Sequence, residues 1–150
     1  MKKLPLGMQS FREIIEGDYV YVDKTQYVYN LISEAKHYFL SRPRRFGKSL
    51  LLDTIAEAFS GDKDIFKGLW IYDSDYAFPK HPVLRLDMSN IANKAPEILE
   101  SSLSVHLINI MDREEVKVNG DAPSDILKGL IEALHNKYKY SLNPAPSHKI

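Results

Sequence analysis

The chain has 150 residues, 20 basic and 20 acidic side chains, no cysteine, and 44% hydrophobic residues. That length suits one domain able to bury roughly 70% of its unfolded surface. The cancelled charge argues against a generic nucleic-acid-binding surface, though it leaves room for a local basic patch. Disulfides and thiolate metal sites are excluded outright. No apolar run approaches the ~20 residues that span a bilayer. Met1-Lys-Lys-Leu-Pro5 carries charge with no apolar core behind it, so it does not read as a signal peptide, and a cytoplasmic location follows by default.

Residues 1–18 read as an extended lead-in with a short helical turn near Ser10–Glu16. Tyr19-Val-Tyr-Val22 has β character. Asp23 with Gln26 fits a helix N-cap and its reciprocal partner, and Tyr27, Val28, Leu31 and Ile32 recur at helical spacing to about Lys36.

The next segment is the only one that names a ligand class. An apolar run, His37–Ser41, ends in the basic loop Arg42-Pro-Arg-Arg-Phe46, then Gly47-Lys48-Ser49, then Leu50, Leu51, Leu52, Ile55, Ala56, Ala58 and Phe59 on a helix that Gly61 is placed to stop. Strand, loop, Gly-Lys-Ser and helix in that order is an arrangement that holds nucleotide phosphates. A helix N-terminus offers unpaired N–H groups and the positive end of its dipole. Gly47 lets the backbone approach oxygen closely. Lys48 suits β- and γ-phosphate oxygens, and the Ser49 hydroxyl suits Mg²⁺. The full pattern is G-x-x-x-x-G-K-[ST], and its first position falls here on Arg42, followed by Pro43, which has no N–H. In exchange the loop carries Arg42, Arg44 and Arg45, whose guanidinium groups pair well with phosphate. The bland alternative is a solvated basic turn.

Beyond the loop, Asp62–Leu69 reads as a short helix and Trp70-Ile-Tyr-Asp73 as a link to the turn residues Pro79 and Pro82. Val83–Leu86 is an expected strand. Ala95 to about Arg113 reads as a long helix, with Ile98, Leu99, Leu103, Leu107, Ile110 and Met111 on its apolar side. Lys117–Ala122 is a turn containing Asn119-Gly120. A further helix runs from Pro123 to about Lys139, with Leu127, Leu130, Ile131 and Leu134 inward, and Asn143-Pro-Ala-Pro146 is a turn or linker. Strands interleaved with helices argue for a three-layer α/β domain with a parallel sheet.

Arg42-Pro-Arg-Arg-Phe-Gly-Lys-Ser-Leu50 resembles the signature of the AAA-ATPase-like family of bacteria and archaea. Gly7, Ser10-Phe11 and Tyr21-Val-Asp-Lys-Thr25 resemble its N-terminal segment. Phe59-Ser-Gly61 and Ile65-Phe-Lys-Gly-Leu69 resemble the stretch after its loop helix, and His81-Pro-Val83 the start of its next strand. In that family the first glycine of the loop is normally missing. The resemblance implies an incomplete P-loop NTPase-like α/β domain: residues 1–36 as lead-in and helix, 37–61 as strand, phosphate loop and helix, 62–150 as crossover helices and a second strand. It implies ATP and Mg²⁺ as ligands, with Arg44, Arg45, Phe46, Gly47, Lys48, Ser49 and Leu50 around the nucleotide and Ser49 on the metal.

It also implies what is missing. The family's acidic motif, aliphatics followed by roughly Asp-Glu-Tyr-Asp, has no counterpart here. Val83-Leu-Arg-Leu-Asp87 is the nearest imitation, and Arg85 interrupts it. The strand carrying that motif is expected just past Ile150, so the chain reads as the N-terminal piece of a longer protein, without the PD-(D/E)XK nuclease-like domain through which such a protein could meet nucleic acid. The resulting expectation is an ATP-binding module that hydrolyses ATP negligibly alone. The alternatives are a non-catalytic module that docks nucleic acid or an acidic partner through its arginines, and a piece that does not fold by itself.

Other features have plainer readings. Asp23-Lys-Thr25 reads as a helix cap. Tyr19, Tyr21, Tyr27 and Tyr29 could stack a base, and more often such residues pack a core or an interface. His37, His81, His106, His135 and His148 show no ligand spacing. Asp87 reads as a strand-end residue capping a turn.

Overall fold

The computed structural model describes residues 1–34, 37–88, 91 and 95–139. Five α-helices occur among them: α1 (Phe11–Glu16), α2 (Thr25–Glu34), α3 (Lys48–Ala58), α4 (Pro96–Arg113) and α5 (Pro123–Lys139). Two 3₁₀ turns, Asp64–Phe66 and Trp70–Asp73, follow α3. The chain divides into two compact units, Met1–His81 and Pro82–Ile150.

The helices start and stop where the chain chemistry allows. Ser10 caps α1, its hydroxyl accepting from the Glu13 amide at 3.3 Å. Pro96 opens α4, where a missing N–H costs nothing. At the end of α3 the backbone leaves through Phe59 and Ser60, and Gly61 then adopts φ +85°, a left-handed conformation that glycine enters without strain.

The first unit is built on aromatic rings. Phe11 of α1 stacks on Phe66 at 4.8 Å between centroids and meets Tyr21 edge-on at 5.3 Å. Phe78 extends the stack from Phe66 at 5.2 Å, and Tyr76 closes it at 4.9 Å. Val28 of α2 and Ala58 of α3 pack into the same core with Ile65 and Ile71. Such ring pairs add about 0.5–1.5 kcal/mol each beyond the area they bury. Burial also pushes the Tyr76 hydroxyl up to about 12.

Polar bonds between distant residues tie α1 to α3. The Phe11 amide donates to Asp53 at 2.6 Å. Arg12 pairs with Glu57 at 2.7 Å and Asp62 at 3.0 Å, which raises its already high pKa. These contacts fix the helix whose first residue is Lys48.

The second unit is a helical hairpin. Leu107 and Ile110 of α4 face Ile126, Leu130 and Leu134 of α5, with Leu84, Leu103, Met111 and Leu127 partly buried around them. Of the apolar positions expected on these helices, Ile98 and Ile131 stand exposed instead, and Ile126 takes an inner place that the spacing argument omitted. Gly129 of α5 lies close against Val118: a Cβ there would lie 2.2 Å from Val118 Cγ1, so that side chain would have to shift.

The expected three-layer α/β architecture with a parallel sheet is contradicted: among the described residues there is no strand at all. Tyr19–Val22, His37–Ser41 and Val83–Leu86 lie outside any regular element. The physical reason is that a strand exists only within a ladder. An apolar β-branched or aromatic run makes a segment compatible with a sheet but supplies no partner for its amides and carbonyls. His37–Ser41 and Val83–Leu86, expected as non-adjacent strands of one sheet, fall in different compact units. Phe39, expected on a strand, is 94% exposed. The short helix expected over Asp62–Leu69 shrinks to the 3₁₀ turn Asp64–Phe66. The turn expected at 143–146 lies outside the described residues.

Candidate phosphate-binding site

The loop before α3 is held in an uncommon backbone conformation. Arg45 takes φ +66° and Gly47 takes φ +73°. Glycine enters that region freely, whereas for an arginine it costs about 1–2 kcal/mol. Asp18, Phe78 and Glu115 are the other non-glycine residues with positive φ among the described residues. Open space surrounds Gly47, and no atom lies within 4 Å of the position a Cβ would occupy there.

Gly47 is also the N-cap of α3, and no side chain caps that end. The Leu51 amide is bonded to the Gly47 carbonyl at 2.9 Å. By helix geometry the amides of Lys48, Ser49 and Leu50 precede the first intrahelical bond and keep their donor capacity. They stand at the positive end of the helix dipole.

Lys48 folds back over the loop. Its Nζ donates to the Arg42 carbonyl at 2.5 Å and lies 3.5 Å from the Pro43 carbonyl. No carboxylate among the described residues pairs with it, and the ammonium keeps donor capacity to spare. Arg42, Arg44 and Arg45 are exposed and form no ion pair among the described residues. Four cations thus gather at one turn in a chain of zero net charge, and such a local field draws anions.

A cleft of about 570 Å³ opens over this turn. Arg45, Gly47, Lys48, Ser49 and Leu50 form one side, and Pro5, Gly7, Met8 and Gln9 form the other. Of the residues expected around a nucleotide, these five come together. Arg44 and Phe46 are exposed and do not line it. The facing wall was missed as a site element by sequence reasoning. Its signal was the Pro5–Gly7 turn ahead of the Ser10 cap, where Gly7 takes φ +76°.

The donor set fits a magnesium-bound polyphosphate in part. Ser49 is exposed at the cleft and offers one hard oxygen, and Mg²⁺ takes such a ligand while keeping waters and phosphate oxygens around it. Among the described residues no group of three or more His, Asp or Glu side chains could hold a metal. Asp87 belongs to the second unit and lies on no strand.

Asp23-Lys-Thr25 acts as a structural clamp. Asp23 accepts from the Thr25 amide at 2.8 Å, the Thr25 hydroxyl at 2.7 Å and the Trp70 amide at 2.7 Å. The Thr25 hydroxyl in turn accepts from the Ile71 amide at 3.1 Å. Burial works to raise the Asp23 pKa, but the three donors outweigh it and hold the carboxyl below its ordinary value. No bond from Gln26 back to the cap appears among the described residues. Tyr29 is committed to Trp70 at 5.5 Å and to Asp75 through its hydroxyl at 2.7 Å.

Residues 5–142 match the model of the AAA-ATPase-like family, described as "Predicted AAA-ATPase". A protein of Azotobacter chroococcum mcd 1, described as "Uncharacterized protein in vnfD 5'region", is 49% identical over 104 residues. That match covers 69% of this chain and 20% of the relative, so the matched part spans about a fifth of the relative's length. No solved structure matches the chain. No helix among the described residues is long and apolar enough to cross a membrane. With a cationic loop at an uncapped helix N-terminus and a family model running from residue 5 to residue 142, the chain belongs to the predicted AAA-ATPase family.

Proposed function

We propose that the chain is a nucleotide-binding module that takes Mg·ATP in the cleft over Lys48. The observation that carries this reading is Lys48 itself. Its ammonium is folded onto the loop's own carbonyls beside the open N-terminus of α3, with no carboxylate partner among the described residues. Lys48 would turn from the Arg42 carbonyl to β- and γ-phosphate oxygens, the amides of residues 48–50 would hold phosphate, and Ser49 would contact the metal. Arg45 would add charge at the rim. Positioning and charge stabilisation do most of the work in phosphoryl transfer, but a carboxylate pair must still orient water. The sequence offers no such pair, so this chain binds ATP and turns it over negligibly by itself. Its place of action is the cytoplasm, and nucleic acid would be met through further domains of a longer protein.

The test is ligand-dependent stability. Mg·ATP at a hundred times its Kd should stabilise the chain by about 2.7 kcal/mol, and Lys48→Ala should abolish that gain. Calorimetry that finds no heat with any magnesium-loaded nucleoside triphosphate on a well-folded sample would overturn the reading. Turnover at an ordinary ATPase rate, lost in Lys48→Ala, would overturn the claim of negligible hydrolysis.

The exposure of Arg42, Arg44 and Arg45, unpaired among the described residues, favours one second reading: a non-catalytic module that docks nucleic acid or an acidic partner through its loop. It predicts steeply salt-dependent binding that is lost in Arg44→Ala/Arg45→Ala and a protein indifferent to ATP.

A further inference from the structure

We infer that residues 2–9 form a strap that closes on the basic loop when a polyphosphate fills the cleft between them, with the ion pair of Lys2 and Asp18 anchoring its outer end; this rests on the reading of that cleft as a phosphate site. The strap is the wall that faces the loop, through Pro5, Gly7, Met8 and Gln9. It is fastened at both ends. At the inner end Ser10 caps α1, and the Phe11 amide donates to Asp53 of α3 at 2.6 Å. At the outer end the Lys3 carbonyl accepts from the Val20 amide at 2.9 Å, and Lys2 Nζ lies 2.7 Å from an Asp18 carboxylate oxygen.

Between those ends the strap is bonded only to itself among the described residues. The Leu6 amide donates to the Leu4 carbonyl at 2.9 Å, and the Met8 amide to the Pro5 carbonyl at 3.3 Å. Leu4 and Leu6 are exposed, and Gly7 stands in open space. Gly7 takes its left-handed turn without strain, so the strap can bend there. A segment with few buried contacts and exposed backbone is drawn from the low end of local stability, where closing elements are found.

Two features make closure depend on an anion. Gly7 and Gln9 line the cleft, and their amides make no hydrogen bond among the described residues. A polyphosphate offers acceptors to such donors. The second feature is charge. Residues 1–12 carry Lys2, Lys3 and Arg12 and no acidic side chain, and the facing loop carries Arg42, Arg44, Arg45 and Lys48. Walls of like charge repel each other, whereas a polyanion between them attracts both.

Hydrogen exchange and calorimetry on the full chain with magnesium tripolyphosphate test this. The amides of residues 4–9 should exchange about tenfold or more slowly once the compound is bound. Asp18→Asn removes the anchoring charge and keeps a residue type that tolerates the φ of +51° found there. By long-range charge alone, losing an acidic side chain would tighten the binding of a polyanion. Loss of the anchor should instead weaken it about two- to fivefold, the scale of one exposed ion pair. Binding without protection of residues 4–9, or binding in Asp18→Asn that is unchanged or tighter, would overturn the strap while leaving the phosphate site standing. Failure of tripolyphosphate to bind folded protein would overturn both.

Discussion

The two halves of the chain reach a packed state by different means. Residues 82–139 do it mainly with period: two long helices, α4 and α5, lay one aliphatic seam against another, with Lys137 and Tyr138 also bonded to Glu114. Residues 1–81 use three short helices, two 3₁₀ turns, a stack of aromatic rings, and polar bonds such as Phe11 to Asp53 and Trp70 to Asp23 that join residues more than forty positions apart. The first arrangement tolerates change along its outer face. The second fixes a loop in a strained shape, and the cationic cleft lies there. Precision at a site comes from many dissimilar contacts, because each one excludes a different alternative.

That contrast can be broken most directly at the cores. Phe66→Ala removes the ring at the centre of the aromatic stack and should cost about 3–5 kcal/mol, and Leu130→Ala in the hairpin should cost about 2–5 kcal/mol. Trp70 is the single tryptophan and belongs to the first unit. Phe66→Ala should therefore shift the denaturation transition seen by tryptophan fluorescence more than Leu130→Ala does, and the order should reverse for a helical circular dichroism signal weighted to α4 and α5. Identical shifts by both probes for both variants would show one cooperative unit and dissolve the comparison.

A smaller effect sharpens it. Asp23→Ala removes the acceptor of three bonds and should cost about 1–2 kcal/mol, the scale of a lost cap. The folded carboxyl titrates below the unfolded one, which titrates near pH 4. Its contribution is then complete above about pH 4 and is lost as pH falls through the folded value, because the unfolded chain takes up the proton first. Stability measured from pH 6 down to pH 2 should fall less steeply in Asp23→Ala than in the parent. Parallel curves would show that the clamp is not ionic.

The smallest expected change is in the hairpin. Gly129→Ala gains helix propensity of about 1 kcal/mol but drives a methyl group into Val118, where overpacking costs about 1–3 kcal/mol. A modest net loss should appear in urea denaturation, and Val118→Ala in the same chain should turn it into a gain. A stabilised single variant would mean that Val118 moves aside freely.

Much of this could be read from residue order. The positions of α4 and α5 follow from Pro96, Pro123 and apolar spacing, and α3 follows from Gly47-Lys48 and the leucines behind them. The candidate site was legible in half. Gly47, Lys48 and Ser49 are consecutive and carry their chemistry in their order, whereas the facing wall from Pro5 to Gln9 lies some forty residues away and enters only through folding. Tyr27 and Tyr21 could not be told apart by sequence, because burial among distant rings distinguishes them. The sheet was the largest error. Tyr38, Phe39 and Leu40 look like strand residues, and all three are exposed.

Sequence by itself determined what repeats locally: the longer helices and the string of groups suited to a polyphosphate. It also placed the chain in its family. Tertiary structure alone decided whether the apolar runs at 37–41 and 83–86 would find ladder partners, which tyrosine would stay bare, and what would face Lys48. The reason is one of range. A helix closes its hydrogen bonds four residues away and is written in its own segment, while a ladder, a ring stack or a cleft needs a second stretch of chain that no local pattern names.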